Sequence, residues 1–118
     1  MAKDNAQSSF QRGVMSLLIL SLLDQEDMYG YQMIEELSRR SERAFALKTG
    51  TLYPLLHSLE EKELIRSYEK DEGAARPRRY YHLERKGQHL LREKEVEWAT
   101  FTTAVDRVLK GGVCLGSA

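Results

Sequence analysis

Apolar residues recur along this chain at spacings that change from segment to segment. Residues 14–23, VMSLLILSLL, are apolar almost without interruption, which predicts a helix from about Gln11 to Leu23 that is buried over most of its circumference. After a polar break, DQED, the residues Gly30, Met33, Ile34 and Leu37 return at helical spacing. They predict a second helix over 28–43, with Asp27 as its N-cap and Gly30 allowing close approach on its inner side. Arg39, Arg40 and Arg43 fall in its last turns, where cations suit the helix dipole. The segment AFAL (44–47) reads as an apolar connector or a single short strand.

In KTGTLYPLLHSLEEKELI (48–65), Leu52, Leu55, Leu56 and Leu59 fall at i, i+3, i+4 and i+7, the stripe of a third helix. Pro54 lies inside that stripe, and proline is tolerated in the first helical turn because its missing N–H is not needed there. The helix is therefore expected to start at about Gly50 to Leu52, with Thr49 or Thr51 as its cap. The period then shortens: IRSYEK (65–70) and RRYYHL (78–83) are rich in strand formers, and Asp71, Gly73 and Pro77 between them are turn signals. They predict a β-hairpin with a long tip. From Arg85 helical spacing returns, with Leu91, Trp98 and Val105 seven apart and Lys94, Phe101 and Val108 likewise. Such a seam packs on another helix. Residues 1–10 and 111–118 carry no pattern and are expected to fray.

Three helices followed by a hairpin make a winged helix-turn-helix: a mainly α fold with a small β-hairpin over residues 11–84, and a C-terminal dimerisation helix over 85–110. In that arrangement the third helix enters a DNA major groove and the hairpin touches the backbone beside it. The polar side of the third helix agrees, because Lys48, Thr49, Thr51, Tyr53 and His57 offer hydrogen-bonding groups, whereas Glu60, Glu61 and Glu63 are held to its far end. Tyr31, near the start of the second helix, is a candidate phosphate contact. So are Arg76, Arg78 and Arg79 at the hairpin tip. Each has a plainer reading: Tyr53 buried against the wing, Tyr31 half-buried, a threonine as helix cap, the arginines as a solvated loop.

Charge sharpens this picture. The 118 residues, enough for one domain with a single modest core, have no net charge. Residues 39–86, however, hold twelve basic and eight acidic side chains, and residues 1–38 hold two and six. A polyanion would meet the middle of the chain and not the molecule as a whole. One cysteine, Cys114, excludes an internal disulfide and fits a reducing cytoplasm. The N-terminal residues form no apolar signal core, and VMSLLILSLL is half a membrane span. His82, His89 and Cys114 have no metal-ligand spacing. Neither a glycine-rich phosphate loop nor a nucleophile elbow occurs, so no cofactor and no catalysis is expected.

MYGYQMIEEL, TGTLYPLLHSLEEKELI and RPRRYYHLERKG, together with RGVMSLLILSLL, resemble the PadR-type transcriptional regulators over about residues 12–108. The GTLYPLLHSLE run is the most specific part. The resemblance implies a cytoplasmic homodimer, usually a repressor, that binds an inverted-repeat operator and releases it when a small molecule binds. The short chain is similar to the smaller subgroup, in which one C-terminal helix makes the dimer. Here that interface would use Leu91, Trp98, Phe101, Val105 and Val108. In multidrug-sensing members a tryptophan in this helix stacks on flat aromatic compounds, which implies that Trp98 contacts a planar aromatic or phenolic effector. The plainer role for Trp98 is dimer-core packing. Glu84 departs from the family pattern, standing where Ser or Thr commonly caps the last helix. The competing function is a winged-helix protein-interaction module without DNA affinity.

Overall fold

Ile19, Leu20, Leu22 and Leu23 are all buried and form the centre of the core. They belong to α1 (Ala2–Gln25) of the computed structural model, which describes residues 2–71, 73 and 76–111, with side chains from Arg12 onward. The helix starts well before Gln11: residues 2–10 show no apolar period, but they also contain no glycine or proline to stop a helix. Of the expected frayed ends, residue 1 and residues 112–118 lie outside the described residues.

The second predicted helix is shorter at both ends. Met28 and Tyr29 form a strand, β1, and α2 occupies Gly30–Arg40. Asp27 therefore does not cap it; Tyr29 stands at the cap position and makes no side-chain cap bond. The Asp27 carboxylate is instead engaged by Tyr68 and His82. At the other end Glu42 (φ 52°) and Arg43 (φ 70°) take left-handed backbone conformations that end the helix. The Arg43 N–H closes the turn onto the Ser38 carbonyl at 2.7 Å. AFAL forms no strand, although Phe45 and Leu47 pack against the core.

Helix α3 (Thr49–Glu61) buries Leu52, Leu55, Leu56 and Leu59, the predicted stripe. Its start differs from expectation. Lys48 is the cap residue, Thr49 and Thr51 lie inside the helix, and Pro54 falls in the second turn. Proline there leaves the Gly50 carbonyl without its helical donor, and Gly50 is exposed, where solvent can take the donor's place.

The hairpin strands β2 (Ile65–Lys70) and β3 (Arg78–Leu83) pair antiparallel from Ile65↔Leu83 to Lys70↔Arg78. β1 adds to the far side of β3 through Met28↔Tyr81 and Tyr29↔Tyr80, giving the order β1-β3-β2. The last helix, α4 (Arg85–Leu109), begins where expected despite Glu84. The Glu84 N–H donates to the Leu64 carbonyl at 3.0 Å, and its carboxylate pairs with Arg66 at 3.0 Å. The early turns of α4 pack on α1, with Arg92 reaching Asp24 at 3.0 Å. Leu91, expected in the dimer seam, is fully buried there in the chain's own core.

Candidate nucleic-acid interface

Three contacts join the elements that carry the candidate DNA-facing residues. Gly30 has no room for a side chain: a Cβ there would overlap the Tyr53 hydroxyl, so Tyr53 of α3 lies directly on the start of α2. The Arg78 guanidinium sits 4.5 Å from the centre of the Tyr29 ring, which places β3 beside the same helix start. At the other end of α3, Glu60 accepts from Ser67 of β2 at 2.6 Å.

Within this frame Tyr31, Lys48, Thr49, Thr51, Tyr53, His57, Arg76, Arg78 and Arg79 are all exposed, Tyr31 at 64% and Tyr53 at 43%. Tyr53 is thus partly packed, against the start of α2. Neither α2 nor α3 has an acid in its first turn or a side-chain cap. Neither helix start therefore spends its amide donors on a side-chain cap, and both keep the partial positive charge of a helix N-terminus. His57 is paired at 3.5 Å with Glu61, one turn further along α3.

The wing arginines separate. Strand alternation puts Arg78 on the face that carries Tyr80 and His82. Arg79 lies on the opposite face, donates to the Ser67 hydroxyl at 2.9 Å and comes within 3.9 Å of Glu60. Arg79 is thereby drawn toward α3, whereas Arg78 covers a tyrosine pile. In that pile Tyr80 meets Tyr29 edge-on at 5.4 Å and stacks on Tyr68 at 5.9 Å. Lys70 lies 5.2 Å over Tyr80.

Sequence reasoning reads Asp27 as a helix cap and does not reach its actual role. Its carboxylate accepts from the Tyr68 hydroxyl at 2.6 Å and lies 2.8 Å from His82 Nδ1. Burial pushes its pKa up, but the hydrogen bonds from Tyr68 and His82 and the charges of His82 and Arg66 outweigh that and leave it lowered. The same bond raises the Tyr68 phenol. The only signal for that role is an acid in a chain with a polar strand face, too weak to join Asp27 to Tyr68 and His82.

Away from this surface, Trp98 and Phe101 of α4 lie 5.9 Å apart in a tilted pair. With Lys94 and Glu97 they face Gly13, Val14 and Leu17 of α1 across an open groove of about 470 Å³. Trp98, Phe101, Val105 and Val108 are exposed, so the second half of α4 shows an uncovered apolar stripe. Among the described residues no cluster of metal-ligating side chains occurs, and no helix is long and apolar enough to cross a membrane.

Residues 19–93, from the core of α1 to the start of α4, match the family model "Transcriptional regulator PadR-like family". The chain belongs to the PadR-like family. As a PadR-like protein it is a transcriptional regulator and not an enzyme. Uncharacterized protein X of Lysinibacillus sphaericus is 34% identical over 105 residues, covering 89% of this chain and 96% of that protein. The crystal structure of a PadR family transcriptional regulator from Eggerthella lenta is similar at a TM-score of 0.73 and 34% identity, covering 92% of this chain and 96% of that one. A transcriptional regulator from Clostridium thermocellum aligns at a TM-score of 0.77 and 28% identity, over 84% and 96% of the two chains.

Proposed function

We propose that this PadR-like regulator is a homodimeric repressor that reads an inverted-repeat operator with α3 and leaves it when an aromatic effector binds beside Trp98. The observation that carries the DNA reading is the pair of helix starts joined at Gly30 and Tyr53. Both are free of acids and of side-chain caps, and basic wing residues flank them. Phosphates are the natural partners of such amides and dipoles. Lys48, Thr49, Thr51, Tyr53 and His57 then face base edges or backbone, with Tyr31, Arg76, Arg78 and Arg79 on phosphates. The exposed stripe from Trp98 to Val108 supports a second copy of the chain as partner. Two-fold pairing in turn requires two half-sites about one helical turn apart. The apolar groove beside Trp98 supports a planar effector, since flat cationic compounds gain roughly 0.5–2 kcal/mol over an indole face. An effector acts as inducer only if it prefers the spacing of the two α3 helices that does not fit DNA.

The deciding experiment is selection of duplexes from a random pool, with DNA upstream of the protein's own gene included, followed by binding titrations. Enrichment of an inverted repeat is expected, with release by compounds that quench Trp98. Failure to retain any duplex would remove the DNA reading and favour a protein-interaction module.

A further inference from the structure

Asp27 stands in the corner between α1 and β1, and its two carboxylate oxygens are divided between the strands of the wing. Oδ2 accepts from the Tyr68 hydroxyl on β2 at 2.6 Å, and Oδ1 lies 2.8 Å from Nδ1 of His82 on β3. Tyr68 and His82 project from one face of the hairpin, because Tyr68 pairs with Tyr80 and His82 with Arg66. Immediately after Asp27 come the two residues of β1, and then Gly30, on which Tyr53 of α3 rests. One carboxylate therefore ties both wing strands to the backbone that opens α2 and supports α3. Beyond it, the ladder between wing and β1 is only two residue pairs long.

We propose that Asp27 is a positioning residue for DNA recognition: it sets the angle of the wing to α3, so that Arg76 and Arg78 reach the backbone of the duplex that α3 reads. This rests on the DNA-binding reading above. Asp27 itself touches no DNA and acts through Tyr68 and His82. Without it the hairpin keeps its own ladder, its two pairs with β1, its buried Ile65, Tyr81 and Leu83 and the bond from Ser67 to Glu60 of α3. The face that carries Tyr68 and His82, however, loses its tie to the start of α2, and the tip can tilt. The arginines then lose their register on the phosphates while α3 keeps its own.

A thermodynamic cycle separates positioning from plain stability. Affinity for a duplex selected by the wild-type protein is measured from 50 to 200 mM salt for wild type, Asp27→Ala, the Arg76→Ala/Arg78→Ala double variant and the triple variant. Loss of two phosphate contacts flattens the salt slope by about 1.8, at about 0.9 each, which is a roughly tenfold smaller change in affinity over that range. The expected result is that Asp27→Ala, folded by circular dichroism, shows this flattening, and that removing the arginines from it has no further effect. Asp27→Asn restores binding, because its amide oxygen accepts from Tyr68 while its nitrogen donates to the other tautomer of His82. If Asp27→Ala is unfolded at the assay temperature, the cycle is run with Tyr68→Phe and His82→Ala, each of which frees one strand. A folded variant that keeps the wild-type slope and still responds fully to arginine removal would overturn the proposal. So would arginine replacements without effect in the wild type, although the DNA reading would then stand. A wild-type protein that retains no duplex removes both.

Discussion

Gly30 and Gly87 both lie where a side chain would collide, but with different obstacles. At Gly87 a Cβ would overlap the Leu64 carbonyl oxygen and press on the Leu83 side chain. That carbonyl is fixed by its bond to the Glu84 N–H. At Gly30 the obstacle is the far end of the Tyr53 ring, which is half exposed and can swing aside. Gly87→Ala should therefore destabilise by about 1–3 kcal/mol in urea denaturation. Gly30→Ala should stay within about 1 kcal/mol of wild type, because gained helix propensity offsets the shift. It should nonetheless alter DNA affinity, because Tyr53 is displaced. Asp27 gives a second prediction at this scale. Its folded pKa lies below the ordinary 3.8, so the folded state takes up this proton less readily than the unfolded chain. Its contribution is fully present above the unfolded value and is lost as pH falls through the folded one. Melting temperatures followed into acid should fall less steeply for Asp27→Asn than for wild type.

At the scale of elements, α3 carries a proline in its second turn that no buried group requires. Pro54→Ala restores a donor to the Gly50 carbonyl and relieves the ring's crowding of that turn. Thermal melts should show a gain of about 1–3 kcal/mol. The leucine stripe of α3 and the strand character of β2 and β3 were readable because each is a local period, set by which side of one element faces the core. The start of α3 is not legible from the rule against proline alone, because the exposed Gly50 relaxes that rule. β1 was not legible: two residues have no period, and its partner strand lies far along the chain. Asp27 reads as a cap because that is the best role its neighbours in sequence offer. Its actual partners, Tyr68 and His82, stand 41 and 55 residues away. The nine candidate DNA residues all proved exposed, but opposite strand faces divide Arg78 from Arg79.

At the scale of the molecule, α4 is the element that extends beyond what the chain can cover. Its 25 residues span about 37 Å. The first two turns, up to Leu91, are packed on the chain's own core, and the second half, from Trp98 onward, presents an apolar stripe. Leu91 thus belongs to the protomer, a division that the seven-residue spacing could not show because Leu91, Trp98 and Val105 share one face. Phe101→Asp with Val105→Asp should give a folded monomer in light scattering, because desolvating two carboxylates opposes association. The same changes at Leu91 should unfold the chain. The uneven charge seen in the sequence fits this division, since the basic segment 39–86 supplies α3 and the wing while residues 87–118 are balanced.

The strand order β1-β3-β2 also has a consequence for the order of folding. β2 and β3 are neighbours in sequence and can zip as a hairpin, whereas Met28 meets Tyr81 only after a loop of about fifty residues has closed. Contacts of such long range tend to form late. The seam between β1, Asp27 and the wing should then be absent from the folding transition state. Weakening it would act on the way out of the native state and not on the way in. In stopped-flow experiments at fixed protein concentration, Asp27→Ala should speed unfolding and leave the refolding rate nearly unchanged. Leu83→Ala, inside the hairpin, should slow refolding. On this account the joint that aims the wing is also the first to open.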